Sequence, residues 1–432
     1  MPFQGVKGTK DFYPDDMRVR NWIVDAWRRV SLRNAFEEYD APIFEYLDLF
    51  TIKSGEEIAE QLFGFTDRGG RKLAIRPEIT PSLARMVNAR IAALPRPIKW
   101  FSVPRLCRAE APQRGRLREF LQWNIDVIGS DSILADADCI YAAVDFLREV
   151  GLGSEDVCVR IGSRPLTLAA LTDAGVPEGT FEPALAALDK RPKLAEAEFR
   201  ALARDAGLSD GQIDAVGRFQ DCPGIEAVRD CFAGGADVAK DLADLEALLG
   251  ALGAMGVGDY CVLDLGIVRG LAYYTGVVYE IFDRGQSLRA VAGGGRYDNL
   301  LEVLGGPAVG ATGFGMGNVV LGILLEEKGK LPASAAALDF FVIDGEEGVF
   351  QKVLEVVGAL RARGCSADFN YGRQSLRKQL KNANRRGARS AVIVRRDRVA
   401  VKDMASGNQD DRPVNEFLSD PMRGVRPAAP GG

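Results

Sequence analysis

Residues 265–300 read LGIVRGLAYYTGVVYEIFDRGQSLRAVAGGGRYDNL, and the fold turns on them. Residues 277–282 are apolar and β-branched enough for a strand. Asp283, Arg284, Gly285 and Gln286 supply turn chemistry, and residues 287–292 can run back as the partner strand. Gly293, Gly294 and Gly295 follow, then Arg296, Tyr297 and Asp298. Glycines weaken a strand, so three in a row imply that backbone or ligand approaches too closely for a Cβ. The stretch also gathers Arg269, Tyr273, Tyr274, Arg296 and Tyr297 around one hairpin. Arginines and tyrosines beside a floor without side chains suit an anionic, planar ligand. The same residues fit equally well a buried hairpin with core tyrosines and solvated arginines.

Working outward, 432 residues favour two or three domains with ample core. Hydrophobic content of 47% and charged content of 27% are those of an ordinary globular protein. A net charge of -5 gives no overall bias toward nucleic acid, so any such site must be local. Seven cysteines without a C-x-x-C pair argue for reduced thiols in a cytoplasm, not disulfides or zinc. The N-terminal residues do not read as a signal peptide, and no apolar run is long enough to span a membrane. The chain has no histidine. That excludes Ser-His-Asp and Cys-His catalysis and leaves chemistry to carboxylates, arginines, lysines, tyrosines or a bound metal.

Upstream, residues 19–36 have helical periodicity, and residues 39–44 read as a strand whose Pro42 fits an edge or an interface. Residues 65–76 form a hairpin around RGGR, followed by RPEIT, residues 76–80. Arg105, Arg108, Arg114, Arg116 and Arg118 surround a break at residues 112–115, a loop suited to phosphate. Residues 121–129 alternate, with Gln122, Asn124 and Asp126 on one face and Trp123, Ile125 and Val127 on the other. Residues 165–256 have helical period and little strand signal. Residues 310–325 carry neither common nucleotide-binding glycine loop.

Downstream of a linker at 331–338, the pattern becomes β-α-β-α-β: strand 339–343, helix 349–363, strand 366–370, helix 374–386 and strands 390–394 and 399–402. Its second half is rich in lysine and arginine, including Arg373, Arg377, Lys378 and Lys381. That is a local footprint for a polyanion, nucleic acid first among them. Residues 421–432 are expected to be a disordered tail.

From Lys7 to about Leu418 the chain resembles the histidyl-tRNA synthetases, a class II aminoacyl-tRNA synthetase family. The resemblance rests on KGTKDFYP (7–14), RPEIT, CRAEAPQRGRLREFLQ (107–122), RGLAYYTGVVYE (269–280) and AGGGRYDNL (292–300). It implies an α+β fold: a class II antiparallel sheet with flanking helices and a helical insertion, then a C-terminal α/β anticodon-binding domain. Residues 1–330 would be catalytic, with the insertion over about 165–256, and 339–420 would read the anticodon. It also implies a homodimer with Pro42 at its interface, activation of histidine with ATP and Mg2+, and transfer to tRNA-His.

By position, the resemblance gives Glu78, Thr80 and Gln122 the substrate ammonium, and Asp126 and Tyr274 the imidazole nitrogens. Tyr273 and Tyr297 complete the histidine pocket. Arg108 and Arg269 would be catalytic, acting on the α-phosphate and the carboxylate. Glu110, Arg116 and Arg118 would join them on ATP, and Gln113 and Arg114 would meet tRNA. The chain departs from the family pattern at Ala272, at Ala111, and at Val320, where an arginine is usual. Alternatives from other classes are a histidine-sensing regulatory paralogue of ATP phosphoribosyltransferase, which lacks the last domain, and a tRNA-binding protein with a weakened catalytic site.

Overall fold

The computed structural model describes residues 3–51, 62–232, 237–269, 273–332, 338–421 and 423. The chain divides into two compact units, Met1–Leu331 and Pro332–Gly432. Most of the linker, Ala272 and nearly all of the expected tail lie outside the described residues.

The first unit opens with helix α1 (Pro14–Arg33). Strands β1 (Glu37–Glu38), β2 (Phe44–Tyr46), β3 (Phe63–Thr66) and β4 (Lys72–Ile75) follow, with helix α2 (Leu47–Thr51) after β2. Residues 39–43, expected to start a strand, are irregular. Pro42 has no N–H for a ladder, and the carbonyl of Ala41 accepts from buried Arg76 Nη1. Helix α3 (Thr80–Asn88) precedes β5 (Ile98–Ser102), β6 (Arg105–Cys107) and β7 (Glu119–Ile128); α4 (Leu134–Glu149) leads to β8 (Val157–Ser163). The insertion supplies α5 to α10: Arg164–Asp173, Phe181–Leu188, Glu196–Asp205, Asp210–Gln220, Ile225–Cys231 and Ala239–Ala254. Its central helices have their own core around Leu185, Phe199 and Ile213.

The chain then returns to the sheet as β9 (Cys261–Leu263), β10 (Val277–Asp283) and β11 (Ala292–Arg296). Helix α11 (Leu300–Val303), β12 (Ala311–Gly317) and α12 (Asn318–Glu327) complete the unit. The strand order is β1-β5-β7-β12-β11-β10-β8-β9, with β6 beside β7. All pairs are antiparallel except β1–β5 and β8–β9.

The return strand differs from expectation. It begins at Ala292, so the three glycines are the strand itself: Gly293, Gly294 and Gly295 oppose Glu280, Tyr279 and Val278. Residues 287 and 288 cannot pair with β10, because the buried Asp283 carboxylate takes both their N–H groups at 3.0 and 3.1 Å.

Register fixes which residues share a face. Gln122, Asn124 and Asp126 of β7 oppose Gly317, Gly315 and Gly313 of β12. Gly315 and Gly313 oppose Gly293 and Gly295 of β11, and Gly293 and Glu280 oppose each other. Glu280 in turn opposes Arg160 of β8. One face is therefore polar at its sides and bare in the middle. The other carries Trp123, Ile125, Phe314, Tyr279 and Ile161 into the main core with α1, α4 and α10. Trp27 stacks on Trp123 at 6.1 Å, and Trp123 Nε1 donates to Ser31 Oγ at 2.8 Å, tying β7 to α1. An aromatic pair of this kind adds about 0.5–1.5 kcal/mol beyond its buried area.

In the second unit, β13 (Leu338–Asp344), α13 (Phe350–Ala362), β14 (Ala367–Phe369), α14 (Leu376–Arg385), β15 (Ala388–Val394), β16 (Arg398–Asp403), β17 (Gln409–Pro413) and α15 (Val414–Ser419) form a five-stranded sheet with helices. The order is β14-β13-β15-β16-β17, parallel through the first three strands. Strand β17 and α15 go beyond the sequence reading; QDDRP has no apolar alternation to reveal a strand.

Candidate active site

A cavity of about 850 Å3 lies over the bare part of the central sheet. β7 contributes Gln122, Asn124 and Asp126; Glu78 comes from the segment just before α3, and Thr80 is the first residue of that helix. The segment after β6 adds Arg108, Glu110, Gln113 and Arg116. Arg269, Tyr273, Tyr274 and Tyr297 complete the set.

The glycines are there because nothing else fits. A Cβ on Gly313 would sit 2.5 Å from Asp126 Oδ1, and one on Gly315 2.7 Å from the Gln122 amide carbon. The floor thus lets the polar groups of β7 lie flat across neighbouring strands.

Two carboxylates are buried at the inner end. Glu78 Oε2 accepts from the Tyr273 hydroxyl at 3.2 Å, and Asp126 Oδ1 accepts from the Tyr297 hydroxyl. Their second oxygens, Glu78 Oε1 and Asp126 Oδ2, are buried without a partner. Burial pushes the Asp126 carboxyl up to about 7; the Tyr297 hydroxyl opposes the shift and nearby Glu78 adds to it. Burial also raises Glu78, against Arg108, the Tyr273 hydroxyl and Arg269. Buried acceptors in this state are unfavourable until a donor arrives, at roughly 1–3 kcal/mol each. A ligand with an ammonium and a ring N–H would satisfy them.

The cations sit alongside. Arg108 is anchored by its Nε to the Pro77 carbonyl at 3.0 Å and lies 5.3 Å from the Phe120 ring. Arg269 lies 3.5 Å from Glu280 and over the Tyr274 ring at 5.4 Å. Its backbone has φ of 54°, a left-handed conformation that is costly for a long side chain and is often found at functional sites.

The arginines that the sequence grouped together separate here. Arg116 lines the cavity and pairs with Glu110. Arg118 is not among the lining residues; it donates to the Glu110 and Lys7 carbonyls at 3.0 and 3.3 Å. Arg105 pairs with Glu119 at 2.8 Å, and the exposed Arg114 pairs with Glu327. Arg296, read as a possible anion ligand, instead ties Asp136 to the carbonyls of Ser130 and Ser132. Removing one partner of such a buried ion pair costs about 3–5 kcal/mol, so Arg296 holds the scaffold. Glu280, Arg160, Arg289 and the insertion's Asp189 and Lys193 also line the cavity. Of these only Glu280, a charge inside an apolar strand run, left a signal in the sequence.

In the second unit most arginines of the basic stretch are neutralised: Arg373 by Glu347 at 2.9 Å, Arg386 by Asp368, Arg389 by Asp339 at 3.2 Å. Arg377, Lys378 and Lys381 on α14 are exposed and, among the described residues, have no acidic partner. Near the start of that helix the 88%-exposed Tyr371 packs edge-on against Phe369 at 5.3 Å.

A mostly antiparallel sheet with a glycine floor, a polar face on the interior strand β7 and an arginine on the segment that joins β6 to β7 defines a class II aminoacyl-tRNA synthetase catalytic domain. The family follows from comparison. The histidyl-tRNA synthetase model matches residues 8–318, and an anticodon binding domain model matches 338–420. The chain belongs to the histidyl-tRNA synthetase family. It is 40% identical to the histidine–tRNA ligase of Opitutus terrae, across 96% of this chain and 99% of that protein. It is 38% identical to that of Haloarcula marismortui, across 97% of each. In fold it is similar to the histidyl-tRNA synthetase from Nostoc sp. PCC 7120, with a TM-score of 0.82 over 98% of this chain and 100% of that one, at 23% identity.

Proposed function

We propose that this protein is a histidine–tRNA ligase: it joins histidine to ATP as histidyl-adenylate, releasing pyrophosphate, and passes the histidyl group to tRNA-His. The observation that carries the substrate assignment is the pair of buried, half-satisfied carboxylates. Glu78, with Thr80 and Gln122, receives the substrate ammonium. Asp126 and Tyr274 bond the two imidazole nitrogens, a demand that an isosteric apolar side chain cannot meet. Tyr273 and Tyr297 fix the two carboxylates in place.

The substrate carboxylate attacks the α-phosphorus and pyrophosphate leaves. The nucleophile is already ionised, so no side-chain base is needed. A chain without histidine can do this by positioning and charge neutralisation. Arg108 grips the α-phosphate, and Arg269 stabilises charge as the new bond forms. Glu110, buried with Oε1 lacking a partner, fits a Mg2+ ion that is otherwise held by phosphate and that would neutralise phosphate charge.

The exposed cations of α14 and the Tyr371 platform support tRNA contact by the second unit through phosphate neutralisation and base stacking. Gln113, on the cavity wall, and Arg114 meet the acceptor end. Exposed Ile43, Phe44, Tyr46 and Phe65 on the small β2-β4-β3 sheet support a homodimer through that face. No helix among the described residues is long and apolar enough to cross a membrane; with its reduced cysteines, the protein works in the cytoplasm.

The test is ATP–pyrophosphate exchange with each amino acid in turn. Stimulation by histidine alone is expected. Tight histidine binding without exchange would overturn the assignment.

A further inference from the structure

The cavity holds several cations, and most are matched by an acid. Arg116 pairs with Glu110, Arg269 with Glu280 at 3.5 Å, Arg160 with Asp264 at 3.0 Å and Lys193 with Asp189 at 3.4 Å. Among the described residues, two lining guanidinium groups have no acid in ion-pair contact: Arg108, and Arg289 on the connection between β10 and β11. Burial weighs most against the charge of Arg108; nearby Glu78 and Tyr273 favour it, and the positive charges of Arg269 and Arg289 weigh against it. Like charges facing one cavity with no acid in direct contact are unfavourable unless an anion joins them.

The connection that carries Arg289 is held firmly. Asp283, itself buried, accepts from the N–H groups of Ser287 and Leu288 and from the Ser287 hydroxyl at 3.0–3.1 Å. Arg284 bonds the carbonyls of Ser154 and Asp259. The far end is fixed by Val291 N–H to the Ile281 carbonyl at 2.7 Å. An exposed arginine would normally lose much conformational freedom on binding; a rigid connection reduces part of that cost. Val320, which also lines the cavity, brings no charge to it.

We infer that Arg289 binds the β- and γ-phosphates of ATP, and hence the departing pyrophosphate, while Arg108 holds the α-phosphate. This rests on the ATP-dependent activation proposed above and assigns its outer phosphate subsite. The exposed end of the cavity is where the leaving group must exit, so a cation there serves binding and departure without touching the amino acid.

The experiment uses full-length protein with Arg289→Ala and Arg289→Lys. Steady-state exchange gives KM for ATP and for pyrophosphate, and calorimetry gives Kd for histidine alone. In Arg289→Ala, both KM values should rise about ten- to a hundredfold, the range for one lost charge-assisted contact. Arg289→Lys should recover part of the loss, and histidine Kd should stay within about twofold. Unchanged KM for both ATP and pyrophosphate, or a matching loss of histidine affinity, overturns the inference. So does a defect confined to tRNA charging with exchange intact, which would place Arg289 on the tRNA. Absence of histidine-dependent exchange in the unmodified protein would instead overturn the underlying activity.

Discussion

Gly293 lies directly beneath the Arg269 guanidinium: a Cβ at that position would sit 1.4 Å from Arg269 Nη1 and 2.6 Å from its Cζ. The two residues are paired by the fold, one as the flat strand backbone and the other as the cation resting on it. Gly293→Ala should therefore displace the guanidinium. The clash is with the far end of a flexible side chain, so thermal stability should change little, while histidine-dependent exchange should fall about a hundredfold or more, the scale of one misplaced electrostatic contact. A variant with near-normal exchange would show that Arg269 works from another position.

Arg269→Ala tests the same cation from its other side. Its charge acts mainly as the adenylate bond forms, so adenylate formation should drop about a hundred- to a thousandfold while histidine binding weakens far less. Single-turnover adenylate formation, set against equilibrium histidine binding, separates the two. Equal losses would make Arg269 a simple substrate clamp.

Asp126 should leave a pH signature in stability. Burial lifts its carboxyl from the ordinary aspartate value of about 3.9 to about 7 in the fold. Between those values the native protein keeps a proton that the unfolded chain has released, so stability falls as pH rises through that window and levels off above it. At about 1.4 kcal/mol per pKa unit the full penalty is at most about 4 kcal/mol. Asp126→Asn cannot ionise, so relative to the unmodified protein it should gain stability as pH rises from 4 to 7. Urea midpoints measured at pH 4.5 and pH 8 check this; parallel shifts in the two proteins would count against it.

The two units have separate cores, around Trp27 and Trp123 in the first and Phe340 and Val392 in the second. A chain ending at Leu331 should therefore keep histidine-dependent exchange while losing much of its tRNA affinity. The loss should come with a shallower dependence of binding on salt, because the cations of α14 are gone. Filter binding over a range of salt concentrations measures both; unchanged tRNA affinity would remove the anticodon role from the second unit.

Much of this was legible in order along the chain. Alternation placed Gln122, Asn124 and Asp126 on one strand face, and glycines in a strand context announced a close approach. The unequal charge of residues 373–402 pointed to a polyanion. Such signals are local: period two, missing side chains and runs of one charge follow from neighbouring residues alone. What no local pattern specified was pairing across distance. Arg108 and Arg269 meet the cavity, whereas Arg118 and Arg296 bond to carbonyls and Asp136, and all four look alike in sequence. Tyr297, just after β11, reaches Asp126 of β7 because β11, β12 and β7 lie side by side in one register, and Tyr273 reaches Glu78 across 195 positions of sequence. The sequence by itself determined that a bare strand floor, a polar strand face and a surplus of arginines exist. Tertiary structure decided which charges are neutralised and which stay open for substrate, because a charge's effect is set by its burial and by what lies within a few ångströms of it.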